Sequence, residues 1–467
     1  MDEGFTQVVA QAPLGDIGEA TVQLERTPPF YYAAVHLALS WGDSETALRA
    51  PSAVFGVLAV VAAAWLGVVA FGRREGGLAA LLLAVSSLHV LMSREARAYT
   101  AAAFFVTIST GLWLRELRTP GARENRVLYV GASVLGAYTH YLCLACTALQ
   151  LLCGLAPRGL DGRTPVTRAI VVQRLVVAGA VFILFAPWLS TMLAQVVRRS
   201  DALVPVFHGV ADAASLRDTM AVQMAGYSLN VSAMWQWDAL ALGAGCVVLL
   251  PWVVGRDLRA AFLAVVCGGT VLLLLGSSAL LGLGITHPRY LVVISPLFWV
   301  LASRLIFVVA SRGWRLLSFT LACALLTLNL VSSVNLIAFE EWWNQDWRGA
   351  VALVSRLGHS TDVVLVEPGY AQPVVDRYWR ASAVHARYAA VTAPVASALQ
   401  PRDLPANARI WLLDGGATMV DPTGRVARML ASDRALLLRW EAWRRNPSLC
   451  VRASLYGEAA PSSAAPR

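Results

Sequence analysis

Five short clusters gather most of the residues in this chain that could do chemistry. Asp2-Glu3 opens it. Adjacent carboxylates can take a proton from a hydroxyl or hold a divalent cation beside a phosphate, and at a chain start they can equally be plainly solvated. Arg26 precedes Thr27-Pro28-Pro29-Phe30-Tyr31-Tyr32. The prolines fix the chain direction and the arginine suits a phosphate, although the same residues also make an interfacial anchor. Ser93-Arg94-Glu95-Ala96-Arg97-Ala98-Tyr99 packs three charges into one turn. Here Arg97 opens a helix, where the positive dipole end calls for an anion, supplied by Glu95 or by a bound phosphate. His140-Tyr141 and His287-Pro288-Arg289-Tyr290 complete the set.

These clusters need elements to hold them, and the composition says which. Of 467 residues 57% are hydrophobic and only 14% charged, with a mean hydropathy of +0.59. Soluble proteins are nearer a quarter charged. Apolar runs long enough to cross a bilayer recur at 47–71, 76–92, 97–114, 127–139, 141–156, 168–192, 238–255, 260–284, 289–310 and 315–338. The pair between 127 and 156 is short, and one longer helix there is the alternative, which would invert everything upstream.

Arginine placement supports ten spans. Arg73 and Arg74, Arg115 to Arg126, Arg158 to Arg168, Arg256 and Arg259, and Arg304 to Arg315 occupy alternate connections. By the positive-inside rule those connections are cytoplasmic. The others then share the external face: 1–46, the 93–97 turn, Thr139-His140-Tyr141, a long loop at 193–237, Thr286 to Arg289, and the tail from Glu340. All five clusters fall on that face. The net charge of +9 is therefore a signature of topology, with no nucleic-acid partner. Every basic residue is arginine, which excludes lysine chemistry such as Schiff bases.

Three domains follow. Residues 1–46 form a first external loop with an interfacial helix at Phe30–Trp41, 47–339 a transmembrane domain, and 340–467 an external soluble domain. In the last, Val363–Val366 and Ile410–Leu413 read as buried strands, Arg348–Leu357 as a helix, and the final Ala, Ser and Pro residues as a disordered tail. The fold class is mainly α, a polytopic transmembrane helical bundle with a small C-terminal external α/β domain. The seven cysteines form no disulfide framework. Cys143 and Cys146 make a lone C-x-x-C in an apolar run, read as small residues facing neighbouring helices.

Read in order, Asp2-Glu3, Thr27–Tyr32, Arg94–Tyr99, Tyr138–Tyr141, Pro288–Leu291 and Asp346-Trp347-Arg348 resemble the motifs of the GT-C membrane glycosyltransferases. The resemblance is greatest to the glycosyltransferase family 39 and 83 group of protein O-mannosyltransferases, aminoarabinose transferases and Rgt-type lipopolysaccharide transferases. It implies a polyprenyl-phosphate sugar donor, a glycan, lipid or protein acceptor, and inverting transfer outside the inner membrane. It also implies Asp2, with Glu3 beside it, as the catalytic carboxylate. The substrate-binding set would be Arg26, Tyr31, Glu95, Arg97, Tyr99, His140, Tyr141, His287, Arg289 and Tyr290, with a divalent cation near Asp2 and Glu3 as an option. Two features depart from the family pattern. No spanning helix precedes Asp2, so the expectation is either a start codon placed too late or a truncated protein, and Thr27 stands where relatives carry His or Lys. The rival readings are a transporter or flippase of a lipid-linked substrate, and an inactive truncated relative.

Overall fold

The computed structural model describes residues 2–25, 27–120, 122–156, 166–197, 213–226, 228, 234–281, 287–339, 345–379, 387–390, 399–405, 407–415, 421, 423–442 and 450–458. They form two compact units, Val9–Asn335 and Met1–Val8 with Leu336–Arg467.

The chain begins with α1 (Asp2–Ala10), α2 (Ile17–Leu24) and α3 (Phe30–Leu39), so the expected first loop is largely helical. Next come α4 (Glu45–Ala70), α5 (Arg73–Val85), α6 (Ser87–Ser93), α7 (Tyr99–Arg118), α8 (Arg123–Ala137), α9 (Leu142–Gly154) and α10 (Arg168–Val197). The series continues through α11 (Ala213–Ala225), α12 (Met234–Gly255), α13 (Leu258–Leu281), α14 (Ser295–Ser311) and α15 (Arg315–Ala338). Among the described residues six helices are long and apolar enough to cross a bilayer. They are α4, α10, α12, α13, α15, and α14 with the 3-10 turn Pro288–Ile294 that leads into it. This is a multi-pass membrane protein.

The expected span at 76–92 is not one straight helix. It is α5 and α6, bent by 62° at Ser86-Ser87, a serine pair of the kind that accompanies helix breaks. The Ser333 hydroxyl donates to the Val85 carbonyl at 2.8 Å, satisfying an acceptor that the break strands. The stretch 127–156 forms two helices, α8 and α9, joined by a turn at 138–141, and not one long helix. The expected loop 193–237 contains the end of α10, the whole of α11 and the start of α12. The span Pro288–Ser311 lies at the middle of this unit: 78% of its apolar window is buried, against 22–39% for the other five. In this unit Cys143 and Cys146 are buried, and the Cys146 sulfur lies 3.3 Å from the Thr270 hydroxyl, as neighbours between packed helices.

The smaller unit is α/β. It contains α16 (Trp347–Leu357), β1 (Val363–Glu367), α17 (Gln372–Trp379), β2 (Arg387–Ala390), β3 (Ile410–Asp414), α18 (Arg425–Asp433), β4 (Ala435–Ala442) and β5 (Val451–Gly457). The strand order is β2-β1-β3-β5-β4. Strands β1, β2 and β3 run parallel, and β5 pairs antiparallel with both β3 and β4. The apolar runs at Val363 and Ile410 become the two central parallel strands because such strands are covered on both faces. Asp346 accepts from the Gly349 amide at 2.8 Å and caps α16, while Trp347 is buried in the core of this unit. The Trp347 ring leaves no room for a side chain at 415, where an added Cβ would sit 2.2 Å from it. Asp346-Trp347 is thus a folding motif here. The same unit holds Asp2 to Val8, where Gly4 packs on Val374 and Arg377 donates to Gln7.

Candidate active site

Four external segments predicted from sequence meet at one end of the helical unit. The centre is Arg97, two residues ahead of α7. Its guanidinium donates to Glu25 Oε1 at 2.7 Å, and both side chains are mostly enclosed, at 13% and 11% exposure. Glu25 is thus the anion that Arg97 called for. It was not picked out from the sequence, because an isolated acid at the end of a short helix has no pattern. The one clue was Arg97 itself.

Ser52, near the start of α4, fixes the Arg97 backbone. Its hydroxyl donates to the Arg97 carbonyl at 3.0 Å and accepts from the Arg97 amide at 3.3 Å. With its own proton committed, Ser52 must accept from the Tyr31 hydroxyl at 2.6 Å. Tyr31 is therefore buried scaffolding for Arg97. The Tyr32 and Thr27 hydroxyls are hydrogen-bonded at 2.5 Å, and either can donate. Burial first, then the Glu25 carboxylate, pushes the Tyr32 phenol well up, so it stays protonated. The two prolines deliver Phe30 onto the 138–141 turn, where its amide donates to the Tyr138 carbonyl at 3.0 Å. The Phe30 ring then wedges against Phe105, 5.5 Å away.

That turn carries His140. Its ring forms a triangle with Tyr99 and Tyr290, with centroids 5.6, 5.9 and 6.0 Å apart. The Leu142 amide donates to His140 Nδ1 at 3.1 Å, so the neutral ring carries its proton on Nε2. Burial, then the positive charges of Arg97 and Arg289, lower its pKa to about 4. At neutral pH His140 is thus an uncharged donor and not a base. Both arginines act on this one ring. Arg289 lies over Tyr290 at 5.5 Å, on the 3-10 turn that His287 caps by accepting from the Arg289 amide at 3.3 Å. His287 is exposed.

Tyr141 faces a different neighbour. It accepts from Trp188 Nε1 at 2.9 Å and donates to Gln195 at 2.5 Å, and Gln195 donates to the Glu25 carbonyl at 3.4 Å. Burial pushes the Tyr141 phenol up to about 12. This relay ties α10 to the loop that bears Glu25. Trp188, Gln195 and Ser52, like Glu25, had no signal in the sequence. Glu95 sits half-buried in the turn ahead of Arg97.

A small apolar crevice of about 10 Å³ is lined by Leu216, Thr219, Val271, Leu274, Leu275, His287 and Leu291. The arrangement sets two arginines and a neutral imidazole donor over aromatic rings, and it can bind an anion.

Arg26 lies outside the described residues. Asp2 opens α1 with its side chain outside them, and it belongs with Glu3 to the smaller unit. Among the described residues no three His, Cys, Asp or Glu side chains come together to hold a metal ion.

The opposite end of α4 is built differently. Arg304 bridges Glu75 at 3.0 Å and Asp257 at 3.2 Å. Arg259 grips Asp257 with two bonds of 2.9 Å. Phe71 lies under both guanidiniums, 4.9 Å from Arg304 and 5.8 Å from Arg259. Charges of both signs are matched there.

No family model matches the chain, and no curated protein sequence matches it. Solved structures do. ArnT from Cupriavidus metallidurans in the apo state superimposes with a TM-score of 0.57 at 12% identity, over 97% of this chain and 93% of that one. The same protein bound to undecaprenyl phosphate gives 0.53 at 13%, over 100% and 95%. The Archaeoglobus fulgidus oligosaccharyltransferase AglB, in complex with an inhibitory peptide and a dolichol-phosphate, gives 0.52 at 12%, over 87% of this chain but 63% of AglB. The chain therefore spans less than two thirds of AglB's length. At these identities the likeness is one of fold: the chain shares the fold of ArnT and AglB.

Proposed function

We propose that this protein moves a monosaccharide from a polyprenyl-phosphate carrier to an acceptor hydroxyl on the external face of a bacterial inner membrane, with inversion. The observation that carries the reading is one cluster in which Arg97, held by Glu25, and Arg289, over the Tyr290 ring, accompany the packed rings of Tyr99, His140 and Tyr290. A polyprenyl phosphate presents the matching anion, a charged head on a greasy chain.

In the proposed reaction the acceptor oxygen forms a bond to the anomeric carbon while the bond from that carbon to the phosphate oxygen breaks. The electron pair leaves with the phosphate, and the acceptor proton passes to Asp2. Arg97 and Arg289 meet the charge that grows on the leaving phosphate, where fixed donors in a dry site act most strongly. Before the lipid arrives, Glu25 keeps Arg97 charged and aligned. His140 Nε2 adds a neutral donor. Acceptors of the classes expected, whether glycan, lipid or protein, need only offer a hydroxyl.

The rival, a transporter or flippase, must open to both sides in turn. The network of Glu75, Asp257, Arg259 and Arg304 ties α5, the α12–α13 junction and α14 together at the end away from Arg97, which favours chemistry at one face. A direct test incubates the membrane-embedded protein with radiolabelled polyprenyl-phosphate monosaccharides and counts label released from the carrier. Turnover by wild type that is lost in Asp2→Asn and in Arg97→Ala is the expected result. Full turnover in both variants would remove the assignment.

A further inference from the structure

The half-helix α6 ends four residues before Arg97, and it is pinned at both ends by small or uncharged residues. At its start, Ser332 donates to the Ser87 hydroxyl at 2.8 Å and lies 2.9 Å from the Ser228 hydroxyl. Gly226 closes that joint with a positive φ of 78°. A Cβ on Gly226 would lie 2.2 Å from Ser87 Oγ and 2.6 Å from Ser332 Oγ. At its far end, α6 presses on α4. His89 Nε2 donates to the Gly56 carbonyl at 3.1 Å, and a Cβ on Gly56 would stand 2.4 Å from Ser93 Oγ and 3.0 Å from Ser93 Cβ. Ser93 donates in turn to the His89 carbonyl at 2.7 Å. One turn of α4 earlier sits Ser52, which holds the Arg97 backbone from both its amide and its carbonyl.

We propose that α6 is a strut and that Gly56, His89 and Ser332 are positioning residues for Arg97. The bend at Ser86 lets the strut leave α5 and meet α4 at the level of Ser52. Because α4 then touches the strut at Gly56 and the arginine turn at Ser52, the guanidinium has one direction available, toward Glu25. None of these residues touches the proposed substrate. They act through the geometry of Arg97, where a displacement of about 1 Å is costly. The absence of a Cβ at 56 sets that distance.

The inference rests on the lipid-phosphate reading, and its test separates the two. The full protein in phosphatidylcholine nanodiscs is titrated with undecaprenyl phosphate, read by tryptophan fluorescence, with thermal unfolding recorded in parallel. Arg97→Ala serves as the reference. Gly56→Ala is expected to raise Kd about tenfold with little change in Tm. Adding Ser93→Gly removes the two atoms closest to the new methyl, leaving His89 Nε2 at an ordinary 3.7 Å, and is expected to bring Kd back to within about threefold of wild type, as coupled neighbours do. A general packing defect has no reason to be rescued in binding at unchanged Tm.

If Arg97→Ala weakens binding while Gly56→Ala does not, or if Ser93→Gly fails to rescue, the strut falls and the phosphate reading stands. Unchanged binding in Arg97→Ala overturns both. Should Gly56→Ala not fold, Ser332→Ala tests the other end of α6. It deletes a single hydroxyl, and an unchanged Kd in that folded variant overturns the proposal.

Discussion

The Arg97 guanidinium and the Glu25 carboxylate meet at 2.7 Å across 72 positions of sequence. The pair joins the turn ahead of α7 to the segment that follows α2. It is mostly enclosed, so each partner depends on the other.

Stability and binding should separate at this pair. Glu25→Gln removes the charge that faces Arg97 and is expected to cost about 3 kcal/mol, seen as a lower Tm in detergent. Replacing both partners, Arg97→Met with Glu25→Leu, should recover most of that loss, because an apolar pair of similar volume needs no solvation. Lipid-phosphate binding should remain lost in the double variant. Recovery of binding there would detach Arg97 from the anion.

His140 sets a pH dependence whose sign is fixed by its depressed pKa of about 4. The folded state resists protonation and the unfolded state does not. Its contribution is therefore complete above about pH 6.5 and is lost as pH falls from there toward 4. The span corresponds to at most about 3 kcal/mol. Tm measured from pH 7 to pH 4.5 should fall less steeply in His140→Gln than in wild type. Parallel curves would contradict the neutral-donor assignment.

Glu367 in the smaller unit behaves the opposite way. It is 2% exposed, and its Oε1 has no hydrogen-bond partner among the described residues. Burial, then Asp414 and Asp421, raise its pKa to about 8. A raised acid holds its proton in the folded state, so stability declines as pH rises from about 4.5 through about 8. Glu367→Gln should stabilise this unit by at most about 5 kcal/mol above pH 8. Hydrogen exchange of the β1 and β3 amides in the full chain reads this, and equal protection in both proteins at pH 9 would contradict it.

Much of this architecture was written plainly in the sequence. Apolar runs gave the long helices because a spanning segment must be greasy over its whole length. Val363 and Ile410 began runs that only a strand covered on both faces would carry. The polar clusters between apolar runs gave Arg97, His140, Arg289 and Tyr290, since charge and aromatic rings in a tight turn between apolar helices stand out. What escaped was whatever depends on partners distant in sequence. Glu25 is one acid among many until Arg97 arrives beside it. Ser52 lies inside an apolar helix and looks like filler, yet it holds the arginine backbone. The bend at Ser86-Ser87 was visible only as two serines in an apolar run, and nothing local fixes its direction. Asp346-Trp347 matched a motif but caps and fills a core.

The account turns on whether this face of the protein reads a phosphate on a lipid. Affinity for undecaprenyl phosphate against undecaprenol, the same chain without the phosphate, measures that in nanodiscs of phosphatidylcholine alone. Two charge-assisted contacts predict a preference of roughly a hundredfold or more for the phosphate, falling to about tenfold in Arg289→Ala and vanishing when Arg97→Ala is added. Equal affinity of wild type for the two lipids would contradict it.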